Sequence, residues 1–121
     1  MEPAIKSIRP FLGALNFDVS RSFYTALGFR EGVLSPTLSV FSAGSFAFYL
    51  QNAYVADWVD NTMVFLEVDD VDRYWAQLVA LDLSAAYPGV KLLPVKTFDW
   101  GKECFLHDPS GVLWHIGEFA R

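Results

Sequence analysis

A thiol and an imidazole, Cys104 and His115, stand on either side of Asp108-Pro109-Ser110-Gly111, and apolar runs lead into and out of that segment. Asp can bond its own backbone, Pro presets φ at the second position, and Gly accepts the conformation that closes a turn. The stretch therefore reads as a β-hairpin. A two-residue turn sets Cys104 opposite His115, Phe105 opposite Trp114 and Leu106 opposite Leu113. One face then carries Cys104, Leu106, Leu113 and His115; the other carries Phe105, His107, Val112 and Trp114. An imidazole beside a thiol lowers the thiol pKa and makes a nucleophile. The competing reading is a small buried hydrophobe next to a hydrogen-bonded strand histidine.

A second group of residues suits binding rather than catalysis. Trp100 precedes the hairpin beside Gly101 and the pair Lys102-Glu103, a setting for a partly exposed indole on which a flat cation can stack. Along residues 62–68, Met63, Phe65 and Glu67 alternate with Val64, Leu66 and Val68. The uniformly aliphatic set should face a helix and the first set a cleft, where Glu67 needs a partner or a ligand charge. Asp57, Asp60, Asp99 and Glu103 fall near the expected cleft mouth and would focus a negative potential there. Asp69, Asp70 and Asp72 complement a helix dipole and need no further role.

The elements that must position these residues occur in one order, twice. Residues 5–15 form a first strand interrupted by Pro10, and Asp18 or Ser20 caps a helix that carries Val19, Phe23 and Leu27 on one face and ends at Gly28. Strands follow at 32–34, 38–43 and 46–51. After a link over 52–60, a strand at 62–68 meets Asp69 or Asp70 as the cap of a second helix, with Val71, Tyr74, Trp75, Leu78 and Leu81 at helical spacing. A loop at 86–89 and strands at 90–95, 102–107 and 112–118 complete the second half. Phe23-Tyr24 and Tyr74-Trp75 mark corresponding places in the two helices. The pattern predicts an α+β fold of two tandem βαβββ modules, about 1–58 and 59–121, in a single domain spanning 1–121. Their bare sheet faces would form a cleft.

Composition narrows the function. A chain of 121 residues that is 53% hydrophobic can bury a core, and a net charge of -5 disfavours nucleic-acid binding, which needs Lys and Arg to displace phosphate counterions. A cationic ligand fits better. A lone cysteine excludes an internal disulfide framework, and no apolar run is long enough to span a membrane, so a cytoplasmic protein is expected.

The repeated order, the segment Phe23-Tyr24-Thr25-Ala26-Leu27-Gly28-Phe29 and Asp108-Pro109-Ser110-Gly111 resemble the vicinal oxygen chelate superfamily, which includes glyoxalase I and extradiol dioxygenases. Within it, Pro10, Asp60-Asn61-Thr62, Trp100-Gly101-Lys102-Glu103 and His115 four residues after Gly111 are similar to the bleomycin resistance proteins. The resemblance implies a glyoxalase/bleomycin resistance-like fold. Metal-dependent members place His, Glu, His and Glu where this chain has Arg9, Tyr49, Met63 and His115, and only His115 suits a divalent metal. The resemblance to the resistance proteins further implies a homodimer without metal or other cofactor that confers antibiotic resistance by sequestering a cationic, flat aromatic drug unmodified. Trp100, Phe65, Glu67, Glu103, Asp60, Tyr49, Met63, His115, Cys104 and Leu38 are its expected contacts. The family's aromatic wall falls on Val33 and Leu38, so a bithiazole is not expected to be sandwiched between two rings here, and a different flat cation is an alternative ligand. Exchange of the first strand at Pro10 is a low-cost route to the dimer. The alternative is an enzyme of the same superfamily, of lyase, isomerase or dioxygenase type, working near His115 and Cys104.

Overall fold

Both long helices begin at a side chain that accepts from the first turn. In the computed structural model, which describes residues 4–121, Asn16 accepts from the Val19 N–H at 3.1 Å to open helix α1 (Phe17–Leu27), and Gly28 closes it in the left-handed region. The cap is thus Asn16 rather than Asp18 or Ser20, because Asn16 is the residue held extended just before the first helical turn. Asp70 plays the same part for α3 (Val71–Leu81), accepting from Arg73 N–H at 3.0 Å. Two one-turn helices, α2 (Ala56–Val59) and α4 (Leu83–Ala86), fall in stretches expected as a link and as the approach to a loop.

The strands are β1 (Phe11–Gly13), β2 (Arg30–Ser35), β3 (Leu38–Ala43) and β4 (Phe46–Gln51), then β5 (Met63–Glu67), β6 (Lys91–Phe98), β7 (Gly101–His107) and β8 (Leu113–Phe119). They form two four-stranded sheets in the orders β1-β4-β3-β2 and β5-β8-β7-β6, with β1 parallel to β4 and β5 parallel to β8. Two βαβββ modules of an α+β fold result. The first strand is only three residues long, since Pro10 supplies no N–H for a ladder and Ala4–Pro10 run exposed before it.

Each sheet buries one face under its helix, and the buried aromatic residues of both modules meet. Tyr24 of α1 touches Phe41, Phe48 and Trp114, and Phe29 and Phe48 also pack on Trp114. Polar bonds fix the junction. The Tyr24 hydroxyl donates to Asp108 Oδ2 at 2.6 Å and accepts from Trp114 Nε1 at 3.0 Å, while Asp108 Oδ1 accepts from the N–H groups of Ser110, Gly111 and Val112 at 2.8 to 2.9 Å. Burial pushes the Tyr24 hydroxyl well above its ordinary pKa, and the Asp108 charge adds to that, so the phenol stays a donor. Burial also raises the Asp108 carboxyl, against the pull of these hydrogen bonds.

That Asp108 network corrects the expected hairpin. The loop holds three residues, 109–111, because Asp108 N–H donates to the Val112 carbonyl and Gly111 completes the turn at a φ of 109°. Cys104 therefore faces Ile116, Phe105 faces His115 and Leu106 faces Trp114. One residue of register moves side chains to the other face. Cys104 lies on the buried helix side with Leu106, Trp114 and Ile116, whereas His115 lies on the open side, so no thiol-imidazole pair forms and Cys104 lines no cleft. Burial pushes the Cys104 thiol up to about 11. Native protein at pH 8 is accordingly expected to resist iodoacetamide, reacting only when unfolded in denaturant; mass spectrometry of the two samples checks this, and rapid native labelling would contradict the placement.

Candidate functional site

The open face of the C-terminal sheet is built by alternation. Met63, Phe65 and Glu67 of β5 point there while Val64, Leu66 and Val68 pack on the core, as the sequence pattern predicts. Parallel pairing sets Phe65 beside His115 and Glu67 beside Gly117. Gly117 leaves room that side chains fill: a Cβ there would come within 3.0 Å of the Phe65 ring.

Trp100 sits in the β6–β7 turn, 38% exposed, and does not stand alone. It stacks on Phe98 with centroids 5.7 Å apart and planes 4° from parallel, meets Phe119 at 5.6 Å and Phe65 at 6.3 Å; Phe65 and Phe119 are 5.7 Å apart. These four partly exposed rings form one platform at the end of the sheet. Sequence reasoning missed Phe98 and Phe119, although Phe119 follows His115 at strand alternation and so was bound to share its face. Glu67 borders the platform: an apolar slot of about 380 Å³ between β4 and β5 is lined by Phe46, Phe65, Glu67 and, deeper, Phe29, Phe48 and Trp114.

Further along the same face, His115 Nδ1 lies 2.6 Å from Glu103 Oε1, and its Nε2 lies 3.3 Å from Met63 Sδ. Glu103 is nearly buried, and a carboxylate there takes the Nδ1 hydrogen and fixes the ring orientation. Phe105 closes the other side of the imidazole edge-on at 5.1 Å. Glu103 is thus a positioning group for His115 rather than a free charge at a cleft mouth.

The remaining expected contacts separate. Tyr49 and Leu38 lie on the open face of the N-terminal sheet, where Tyr49 stacks on Phe11 and meets Arg9. Asp60 ends α2 beside Gly111, at the far end of β7 from Trp100. A seven-residue strand separates them by roughly 20 Å, beyond the screening length of about 8 to 10 Å, so Asp60 does not belong to the platform. Of the four positions that the sequence resemblance sets against metal ligands, Arg9 meets Tyr49 at 3.4 Å beside one sheet, and Met63 meets His115 on the other. A guanidinium, a phenol, a thioether and one imidazole do not make a divalent-metal set. Elsewhere, Asp70, Asp72 and Glu118 cluster at the start of α3, where Asp70 caps the helix, Lys102 bonds Asp72 at 2.9 Å and Glu118 accepts from Val71 N–H, which accounts for all three.

No family model and no curated protein sequence matches the chain. Solved structures match throughout its length. A bleomycin-binding protein complexed with bleomycin is similar at a TM-score of 0.79 and 18% identity, covering 96% of this chain and 100% of that one. A bleomycin-binding protein from bleomycin-producing Streptomyces verticillus, complexed with copper(II)-bleomycin, is similar at 0.78 and 21%, covering 99% and 100%. A lactoylglutathione lyase from Agrobacterium tumefaciens is similar at 0.73 and 18%, covering 96% of each. The fold is therefore the one shared by bleomycin-binding proteins and glyoxalase-type enzymes. Among the described residues, no helix is long and apolar enough to cross a membrane.

Proposed function

We propose that the protein, a single domain over 1–121, is a cytoplasmic, homodimeric binding protein that sequesters a flat, cationic aromatic compound of the bleomycin type, without a metal and without modifying it. The observation that carries this is the four-ring platform of Phe65, Phe98, Trp100 and Phe119 with Glu67 at its border. Stacked rings attract a planar cation through dispersion and their quadrupoles, and a neighbouring carboxylate adds a Coulomb term. Calorimetry with bleomycin is expected to show one saturable site per chain, with the drug recovered intact. A heat trace without saturation, or chemically altered drug, would overturn the reading. A second reading, an enzyme of the glyoxalase superfamily, draws support from the Glu103–His115 pair, in which a carboxylate orients an imidazole as it would a general base, with Met63 Sδ having to swing off Nε2 before that atom could work.

Two bare apolar surfaces favour a dimer. Ile5 and Ile8 are 70% and 86% exposed on the segment before Pro10, and the apolar slot beside β4 begins where that segment departs. A second copy's segment laid into the slot would cover both, at roughly 1.5 to 3 kcal/mol for each isoleucine buried. Sedimentation at micromolar concentration is expected to give a dimer, and Ile8→Asp to shift it toward monomer. A wild-type monomer would defeat the proposal.

A further inference from the structure

The open face of the N-terminal sheet carries a different chemistry from the Trp100 platform. Phe11 and Tyr49 stack with centroids 4.7 Å apart, and the Arg9 guanidinium lies over the Tyr49 ring, 5.8 Å from its centroid, with Nη1 3.4 Å from the hydroxyl oxygen. Register carries this face across the sheet, with Val40 opposite Tyr49, Gly32 opposite Val40, and Arg30 opposite Ser42. Side chains shrink along that row, from two rings to Val40 to none at Gly32. A step remains against which a flat molecule can lie.

The face is also cationic in a chain whose net charge is -5. The only carboxylate in its four strands, Glu31, points to the opposite, helix-facing side, where it meets Arg21 and Ser39. Among the described residues, neither Arg9 nor Arg30 has a carboxylate within ion-pair distance. With Nη1 donating to the Tyr49 hydroxyl, the N–H donors of Arg9 on Nε and Nη2 remain, an edge that can meet a carboxylate through two parallel bonds.

We propose that this face binds a planar aromatic carboxylate, its ring against Phe11 and Tyr49 over the floor of Val40 and Gly32 and its carboxylate on Arg9, with Arg30 adding to the positive field. In a cleft shared by two chains, a compound held by both walls would then present an anionic group to this one and a cationic group to the other. The site stands on the sheet opposite the platform, so it holds whether or not bleomycin binds there.

The test is calorimetric titration of the full chain with 2-naphthoate and with its uncharged amide. Wild type is expected to bind naphthoate saturably, less tightly at high salt, and Arg9→Gln to weaken it about tenfold or more. Arg9→Lys, which keeps the charge and loses the fork, should fall between. Binding of the amide should ignore Arg9 and weaken in Tyr49→Ala. Equal naphthoate affinity in wild type and Arg9→Gln, or no saturable naphthoate binding by wild type, overturns the proposal. So does sedimentation showing that Arg9→Gln dissociates a dimer while naphthoate affinity stays unchanged, because the face would then be a seam between copies.

Discussion

Replacing Tyr24 by Phe is expected to cost the fold about 3 kcal/mol, although the substitution removes one oxygen and leaves the ring. That oxygen has two partners. It donates to Asp108 Oδ2 and accepts from Trp114 Nε1, and all three groups are buried. Without it, a carboxylate oxygen and an indole N–H are stranded together, at roughly 1 to 3 kcal/mol each. Thermal unfolding followed by circular dichroism should show a midpoint lowered by about 10 °C. Tyr87→Phe provides the control, because its hydroxyl bonds Ser22 at an exposed site and its loss should shift the midpoint only slightly. If Tyr24→Phe melts with wild type, the three-residue network does not hold the modules together.

The second large effect is on binding. Under the reading of a drug-sequestering protein, Trp100→Ala is expected to weaken bleomycin by about 1 to 3 kcal/mol, about fivefold to 150-fold, since the indole touches the rings of Phe98, Phe119 and Phe65 and its loss breaks the platform at its centre. Glu67→Gln should cost less and should mainly flatten the salt dependence, because an exposed carboxylate contributes through a screened field. Asp60→Asn should do nothing measurable. Calorimetry at two ionic strengths separates the three. Undiminished affinity in Trp100→Ala would remove the platform from the binding site.

What could be read without the structure was whatever depends on a residue and its near neighbours. The bounds of β3 and β4, the Gly28 stop and the choice of Asp70 as one of two candidate caps come from turn and capping chemistry within a few residues. The outward set Met63, Phe65 and Glu67 comes from the period of two in a strand. The repeated order of elements, with aromatic pairs at matching places in α1 and α3, was enough to indicate two βαβββ modules.

The site itself was decided by tertiary structure. The hairpin register depends on Asp108 Oδ1 taking three backbone N–H groups two to four residues ahead and on Tyr24, 84 positions away, holding its other oxygen; the letters Asp-Pro-Ser-Gly alone fit a two-residue or a three-residue loop. That one residue separated Cys104 from His115 and gave His115 to Glu103 instead. Phe98 and Phe119 join Trp100 and Phe65 only because β6, β7 and β8 end side by side, and Asp60 leaves the group because its strand begins at the other end of the sheet. Spacing along a chain determines which face a side chain takes within its own element. Which faces and ends come together depends on cross-strand register, set here by a carboxylate that binds its own loop on one oxygen and a tyrosine far off in sequence on the other.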